Sequence, residues 1–302
     1  MRVVDTDPKD GLGFIPGRAP GIKGVQTVLR VLDQVNDPGK GRDSEDRLGC
    51  RPAEGIAWIL DGCTDVCAAR LFPEAPSDAW WFAQTAHTLF EVLPVETAPI
   101  MVDALVEHLR GRVEERIGSV IESIPPGDMP SAALTWMHFD PATQRITFAG
   151  YPDCTAVVLP PAGPAFAVEK PPPRLDEQAQ ARALIAAGAD IPTVLRGQRA
   201  TMNQPGGYPV LSLHRDAAAR LDVRSVAAPS GTQVLLCTDG LYRLVDMYGL
   251  LDDAGLIAAA LDDGLAALVA RLRGFEADAA ENVRFGRFKT SDDAAAMLLE
   301  VT

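Results

Sequence analysis

The sequence predicts a layered α+β fold, in which antiparallel strands form sheets and helices pack against them. The segments 132–139 and 144–151 read as strands on either side of a four-residue turn, a pattern typical of a hairpin. Helical patterns cluster in two places, after Asp61 and after Asp239. The sequence lacks the strict strand–helix alternation of a doubly wound parallel sheet, which favours separate layers of strands and helices.

Composition limits the classes of protein that fit. With 302 residues, 47% hydrophobic and 23% charged, the chain is ordinary for a globular protein with a sizeable core. Its 28 basic and 41 acidic residues give a formal charge of −13, which argues against a nucleic-acid partner and is compatible with divalent cations. No segment has the apolar length of a membrane span or the pattern of a signal peptide. We therefore expect a cytoplasmic protein without a nucleic-acid or membrane partner.

The five cysteines are odd in number and form no paired framework, which indicates a reducing compartment. Cys63 and Cys67 are four residues apart and would share one face of a helix. A soft-metal site at this pair is an alternative interpretation, but the sequence has no second pair and no histidine near it. We therefore favour cysteines that bind no soft metal.

We interpret residues 1–302 as a single domain that begins with an irregular arm over residues 1–23, because no low-complexity linker divides the chain. Apolar spacing places Trp81 and Val92 on the inner face of the first helix, and Ile100 and Leu105 on that of the second. Residues 188–208 read as irregular. The predicted strands are 24–35, 55–60, 132–139, 144–151, 155–159, 221–226, 232–237 and 294–301. The predicted helices are 78–93, 97–124, 175–187, 241–248, 252–261 and 265–273.

Acidic residues recur at the edges of the predicted strands. Two apolar runs end in Asp-Gly, at Asp61-Gly62 and at Asp239-Gly240, and two further acidic pairs are Glu45-Asp46 and Asp292-Asp293. A single aspartate at a strand end is commonly a turn former. Four such clusters instead suggest convergence on one site, and carboxylates without histidine or cysteine suit Mg²⁺ or Mn²⁺. Paired ions of this kind assist the hydrolysis of phosphate esters, which is the reaction class that we predict.

The order and spacing of these segments resemble the PP2C (PPM) family of metal-dependent protein serine/threonine phosphatases. The resemblance covers roughly residues 40–302. It implies a four-layer α-β-β-α sandwich of two antiparallel sheets flanked by helices. It also implies that metal-activated water hydrolyses phosphoserine and phosphothreonine esters of a phosphorylated protein substrate. The matching segments are Ser44-Glu45-Asp46-Arg47, 57–62, 131–134, 148–157, 235–241 and 291–301.

The resemblance assigns the acidic clusters to a site for two ions, Mn²⁺ or Mg²⁺. It implies that Asp61 bridges both ions and that Gly62 offers its backbone carbonyl to one of them. It further implies that Asp239 and Asp292 bind the other ion.

Three more residues receive roles from the resemblance. Glu45 acts through a water molecule, and Asp46 supports the site. Arg42 grips the substrate phosphate, because a guanidinium makes bidentate contacts to phosphate oxygens, and Lys40 is its rival. The candidate catalytic residues are therefore Asp61, Asp239 and Arg42.

The sequence departs from the family pattern in three places. After Asp61-Gly62 the family has a turn of small residues, whereas this chain has Cys63-Thr64-Asp65. We favour Asp65 as a cap of the next helix over an additional ligand. Asp153 matches the aspartate that supports a third ion in the family only after a shift, and Asp293 stands where the family has asparagine.

Two other functions stay open. A degenerate PP2C-like domain would bind a partner or phosphoprotein without hydrolysis; the altered segments motivate this alternative, and the surviving acidic residues argue against it. A hydrolase of a small phosphorylated metabolite is the third hypothesis. The sequence leaves open the substrate, the physiological metal, the third ion and the oligomeric state.

Overall fold

The computed structural model describes residues 27–39, 41, 43–65, 70–168, 183–184, 187–204, 207–278 and 291–302. The predicted arm at 1–23 and most of the predicted helix at 175–187 lie outside these residues. The strands are β1 (Leu29–Asp37), β2 (Arg47–Arg51), β3 (Ile56–Gly62), β4 (Ser131–Asp140), β5 (Arg145–Tyr151), β6 (Cys154–Leu159), β7 (Phe166–Ala167), β8 (Leu211–Ser212), β9 (Asp222–Ala227), β10 (Gln233–Thr238) and β11 (Ala294–Val301). The α-helices are α1 (Asp78–Val92), α2 (Ala98–Ile117), α3 (Ile191–Arg199), α4 (Asp239–Asp246), α5 (Asp253–Asp262) and α6 (Leu265–Ala277).

The strands of the described ranges form two sheets. The first sheet has the order β1-β11-β10-β6-β7, and the second has the order β2-β3-β4-β5-β9, with the short β8 on β4. Every strand pair in the described part of the chain is antiparallel. Among the described helices, none combines the length and the apolarity that crossing a membrane requires.

Among the described residues, three apolar cores hold the layers together. The central core lies between the two sheets, around Ile59, Phe148 and Met297. A second core packs α1 and α2 against the outer face of the second sheet, around Trp58. A third packs α4, α5 and α6 against the outer face of the first sheet, around Leu235. The architecture is therefore an α-β-β-α sandwich, as the resemblance implied.

Strand β3 shows why its sequence is an unbroken apolar run. Successive side chains of a strand point to opposite faces, so Ile56, Trp58 and Leu60 pack against the helices. Ala57 and Ile59 enter the central core from the other face. All five residues are fully buried, because this strand is covered on both sides.

Helix α1 confirms the predicted segment but not its predicted inner face. Ala79 and Phe82 are buried, whereas Val92 is 70% exposed. Trp81 stacks on Phe72, with ring centroids 3.6 Å apart. The prediction was wrong because it chose a neighbouring stripe of the helix, whereas the stripe that approaches the sheet is formed by Phe82, Phe90 and alanines.

Helix α2 is shorter than predicted. It ends at Ile117, and the chain continues as a 3₁₀ helix over Gly118–Ser123. Gly118 has a φ of +72°, a left-handed conformation that interrupts the α-helix. Ile100 is 53% exposed, and the neighbouring Met101 is buried in its place.

Residues 188–208, predicted to be irregular, contain helix α3. The Asp190 side chain accepts a hydrogen bond from the Thr193 backbone N–H, and Pro192 lies in the first turn. An aspartate cap followed by a proline is a helix-start signal, and the prediction overlooked it.

Candidate functional site

The ends of β3 and β10 face each other at one mouth of the central core. Asp61 continues the face of β3 that carries Ala57 and Ile59 between the sheets. On the opposite sheet, Thr238 continues the face of β10 that carries Leu236. One strand of each sheet therefore carries, at this end, a polar side chain that borders the apolar core.

The start of β11 brings a further acidic pair to the same mouth. The pairing of Cys237 with Ala296 sets the start of β11 beside the end of β10. Asp292 and Asp293 directly precede β11, and Asp239 directly follows β10 as the first residue of α4. Residues more than 50 positions apart in the sequence thus become neighbours.

Asp46 lies at the inner end of this cluster and is 1% exposed. Its Oδ2 accepts a hydrogen bond of 2.7 Å from the Thr238 hydroxyl. Burial raises the pKa of the Asp46 carboxyl well above its ordinary value, the Thr238 hydrogen bond opposes this rise, and carboxylates such as Asp293 add to it. The protein interior and the neighbouring charges therefore disfavour an uncompensated negative charge at Asp46.

Asp61 is partly accessible to solvent and lies near the same carboxylates. Burial raises the pKa of its carboxyl well above the ordinary value, and the charges of Asp46, Asp239 and Asp292 raise it further. These charges act on Asp61 because the three other predicted site residues lie near it. Excess negative charge of this kind attracts a cation.

Arg243 lies against the two carboxylates on the other side of the mouth. Its Nη2 donates a hydrogen bond of 2.7 Å to Oδ2 of Asp292 and is 3.7 Å from Oδ2 of Asp239. The Arg243 side chain is 10% exposed, so the ion pairs are largely shielded from water. The sequence prediction did not include Arg243, which reads as an ordinary residue of helix α4.

Glu45 joins the two sheets at the rim of the mouth. Its backbone N–H donates a hydrogen bond of 2.6 Å to Oδ2 of Asp293, and its side chain accepts one from the Ser77 hydroxyl. The N–H of Gly62 donates to the Glu45 carbonyl at 3.3 Å. A Cβ on Gly62 would lie 3.0 Å from the Glu45 carbonyl oxygen and 3.1 Å from that of Ala79, so the glycine permits a close approach.

The segment after Gly62 is held by Asp65 and by Arg199. Asp65 accepts hydrogen bonds from the backbone N–H groups of Asp78, at 2.6 Å, and Ala79, at 3.1 Å, so it caps the start of α1 as expected. Arg199, at the end of α3, donates to the carbonyl of Thr64 at 2.6 Å. Arg199 is 4% exposed, and the sequence prediction missed it because α3 itself was missed.

Asp153 sits in the turn between β5 and β6 with a φ of +84°. Its charge acts on Cys63 and Cys154: burial raises the pKa of both thiols, and Asp153 contributes to the rise. The turn therefore lies at the edge of the mouth. Arg42, its rival Lys40 and Cys67 lie outside the described residues.

Comparison with solved structures identifies the architecture. The serine/threonine phosphatase PstP/Ppp of Mycobacterium tuberculosis matches with a TM-score of 0.53 and 16% identity, over 91% of this chain and 99% of its own. PppA of Pseudomonas aeruginosa, a regulatory component of T6SS, matches with a TM-score of 0.53 and 14% identity over 91% and 99%. The catalytic domain of PstP in complex with two manganese ions matches with a TM-score of 0.51 and 16% identity over 92% and 100%.

The chain has the PP2C fold. No family model and no curated protein matches its sequence. The likeness to PP2C phosphatases thus lies in the arrangement of strands and helices, with little sequence identity to support it.

The candidate metal donors of this PP2C fold differ in how well they fit a hard cation. Among the described residues, no three His, Cys, Asp or Glu side chains already lie in the geometry of a metal site. All the candidate donors are oxygens, which Mg²⁺ and Mn²⁺ prefer. A divalent ion fits the charge around Asp61, where the neighbouring carboxylates repel one another. Asp239 and Asp292, by contrast, already contact the guanidinium of Arg243.

Proposed function

We propose that this chain is a divalent-metal-dependent phosphatase that hydrolyses phosphoserine and phosphothreonine esters of proteins. The observation that carries the proposal is the convergence of Asp46, Asp61, Asp239 and Asp292 at one mouth between the sheets of a PP2C fold. These residues come from four separate segments, and the sequence alone already predicts every one of them as a site residue.

Charge explains why such a site needs cations. A phosphate ester is an anion, and a cluster of carboxylates repels it at short range. A divalent ion at Asp61, Mn²⁺ or Mg²⁺, would supply Lewis acidity toward a phosphoryl oxygen and toward water. Asp61 would hold this ion together with the carbonyl of Gly62. Asp46 would support Asp61 from inside.

The remaining residues of the site would position water, bind the substrate phosphate or hold a cation. Glu45, at the rim, would act through a water molecule, and its contacts with Asp293 and Ser77 fix its position. Arg42 would grip the substrate phosphate through its guanidinium. Asp239 and Asp292 would hold the second cation of the site.

Hydrolysis of p-nitrophenyl phosphate and of a phosphothreonine peptide by the purified chain tests the proposal. We expect turnover that requires Mn²⁺ or Mg²⁺ and stops in EDTA. The variant Asp61→Asn should fall to the level of the EDTA-treated protein. Asp262→Asn, which changes an exposed aspartate at the end of α5, is the matched control and should keep full activity.

The outcomes separate the alternatives. Turnover of Asp61→Asn equal to that of the control would overturn the assignment of the site. Cleavage of p-nitrophenyl phosphate and of small phosphorylated metabolites, but not of the peptide, would favour a metabolite hydrolase. The Mn²⁺ dependence would then still support the site.

One observation favours a second candidate, a PP2C-like binding module without hydrolytic activity. The carboxylates of Asp239 and Asp292 both contact Arg243, so these two would-be ligands already have a cationic partner. Such a module should bind a phosphothreonine peptide, measured by calorimetry, and should show no turnover with any divalent ion. Turnover in Mn²⁺ excludes it.

A further inference from the structure

Arg243 connects two segments that meet only in the folded chain. It belongs to α4, four residues after Asp239, so the two side chains lie on the same face of one helix. Asp292 reaches the same guanidinium from the segment before β11. One cation thus stands between the two carboxylates that the family resemblance assigns to a metal ion.

The surroundings hold this arrangement in place. The backbone carbonyl of Asp292 accepts a hydrogen bond of 2.7 Å from Arg273, which also donates to Asp37 at 2.6 Å. Gly240 packs so closely on Asp293 that a Cβ there would lie 1.7 Å from the Asp293 carbonyl oxygen. The two carboxylates are therefore presented to Arg243 by a fixed backbone.

Burial strengthens the contact. The side chains of Arg243, Asp239 and Asp292 are 10%, 13% and 22% exposed. Water screens such ion pairs less than it screens surface pairs, and separating a buried pair leaves uncompensated charge. A divalent ion that entered between Asp239 and Asp292 would have to expel a guanidinium of the same charge sign.

The two sides of the mouth thus differ in charge. Asp61 lies on the face of β3 between the sheets, and among the residues that the structure describes no basic side chain forms an ion pair with it. Around Asp239 and Asp292 a guanidinium already supplies positive charge. A divalent ion gains most at Asp61.

We propose that Arg243 is the resident cation of the second ion position, so that this chain takes one divalent ion, at Asp61. Asp239 and Asp292 then hold the guanidinium where a second ion would otherwise bind. The inference rests on the proposed function for the meaning of the site, but the number of bound ions is measured without reference to turnover.

Isothermal titration of the metal-free chain with Mn²⁺, together with spectroscopic counting of unbound Mn²⁺, tests the proposal. We expect the chain as it stands to bind one Mn²⁺, and Asp61→Asn to bind none. Arg243→Met, which keeps an unbranched side chain and removes the charge, should bind two. Arg112→Met, on the exposed side of α2, is the matched control and should bind one.

Thermal unfolding gives a second readout. The removal of Arg243 leaves two buried carboxylates without this cation, so Arg243→Met should melt at a lower temperature without metal. Added Mn²⁺ should raise its melting temperature more than that of the unaltered chain, because it binds an additional ion. Equal shifts in the two proteins would contradict the proposal.

Each outcome decides the question. Two ions bound to the unaltered chain, none bound to it, or one bound to a folded Arg243→Met would overturn the proposal. If Arg243→Met does not fold, the stoichiometry of the unaltered chain still decides between one ion and two. One bound ion without hydrolysis of p-nitrophenyl phosphate would uphold the role of Arg243 and reject the phosphatase; two ions with hydrolysis would do the reverse.

Discussion

The hydroxyl of Thr238 donates a hydrogen bond of 2.7 Å to Oδ2 of Asp46, and the hydroxyl oxygen itself accepts the N–H of Ala295 at 3.0 Å. Thr238 ends β10, Asp46 precedes β2, and Ala295 belongs to β11, so a single hydroxyl joins the two sheets. Thr238 is fully buried, and water cannot replace these hydrogen bonds.

Replacement of Thr238 by valine should therefore destabilise the chain. Valine has nearly the same shape but no hydroxyl, so it leaves the Asp46 carboxylate and the Ala295 N–H without this partner. We expect the free energy of unfolding to fall by about 1–3 kcal/mol, measured by urea denaturation. Thr238→Ser keeps the hydroxyl and loses only a methyl group, so its loss should be smaller. A serine variant as unstable as the valine variant would contradict this role.

Two glycine-to-alanine substitutions should change the stability of the fold in opposite directions. Gly240→Ala would place a Cβ 1.7 Å from the Asp293 carbonyl oxygen, so α4 or the start of β11 must shift, at a cost of about 1–3 kcal/mol. A Cβ on Gly111, within α2, would meet no neighbouring atom within 4 Å, and alanine there should stabilise the helix by about 0.5–1 kcal/mol. Thermal melts measure both. A Gly240→Ala variant as stable as the unaltered chain would refute the close packing at Gly240.

The loss of Arg199 should loosen the segment that follows Gly62. Its guanidinium donates to the carbonyls of Thr64, at 2.6 Å, and Met129, at 3.1 Å, and the second bond is buried. We expect Arg199→Met to lower the free energy of unfolding by about 2–4 kcal/mol, because hydrogen bonds to a charged group are strong and both carbonyls lose this donor. Arg196→Met, on the exposed side of the same helix, should change it little. If chemical denaturation gave Arg199→Met no greater loss of stability than Arg196→Met, the hydrogen bonds of Arg199 would not stabilise the fold.

The buried carboxylates predict how the stability of the metal-free chain depends on pH. Burial raises the pKa of Asp46 and Asp61 above the ordinary value of 3.8, so the folded state binds protons more tightly than the unfolded state. Their contribution is fully present below about pH 3.8 and is lost as the pH rises through the raised folded pKa values. In EDTA, the Asp61→Asn variant should therefore gain stability over the unaltered chain as the pH rises from about 4 to 8.

Denaturant titrations of both proteins across this pH range test the prediction, and Asp262→Asn serves again as the control. A constant difference between the unaltered chain and Asp61→Asn would show that Asp61 has the same proton affinity in the folded and unfolded states.

Local patterns in the sequence predicted much of the fold. Strand β11 was predicted with its observed bounds, 294–301, because it is an apolar run, interrupted only by Glu300, after a polar pair. The start of α1 after Ser77 follows from a side-chain cap, which is also local. The inner face of α1 was misplaced because burial depends on how closely the helix approaches the sheet.

The sequence likewise predicted some residues of the candidate site and missed others. Asp61 and Asp239 were predicted from the sequence as site residues because each ends an apolar run and precedes a glycine. The strand periodicity then carries Asp61 to the face between the sheets. Arg199 gave no such signal, since its role depends on carbonyl groups 70 and 135 residues away.

The sequence by itself determined which residues end the strands, which faces of β3 are apolar, and that the acidic residues gather at strand ends. Only the tertiary structure decided that two of them, Asp239 and Asp292, meet a basic side chain. Arg243 is a plain member of a helical pattern until β10 and β11 pair, because that pairing alone brings Asp292 from 49 residues away to the guanidinium. Electrostatic interactions act through space, so the charge balance of this site is a property of the packed sheets rather than of any segment.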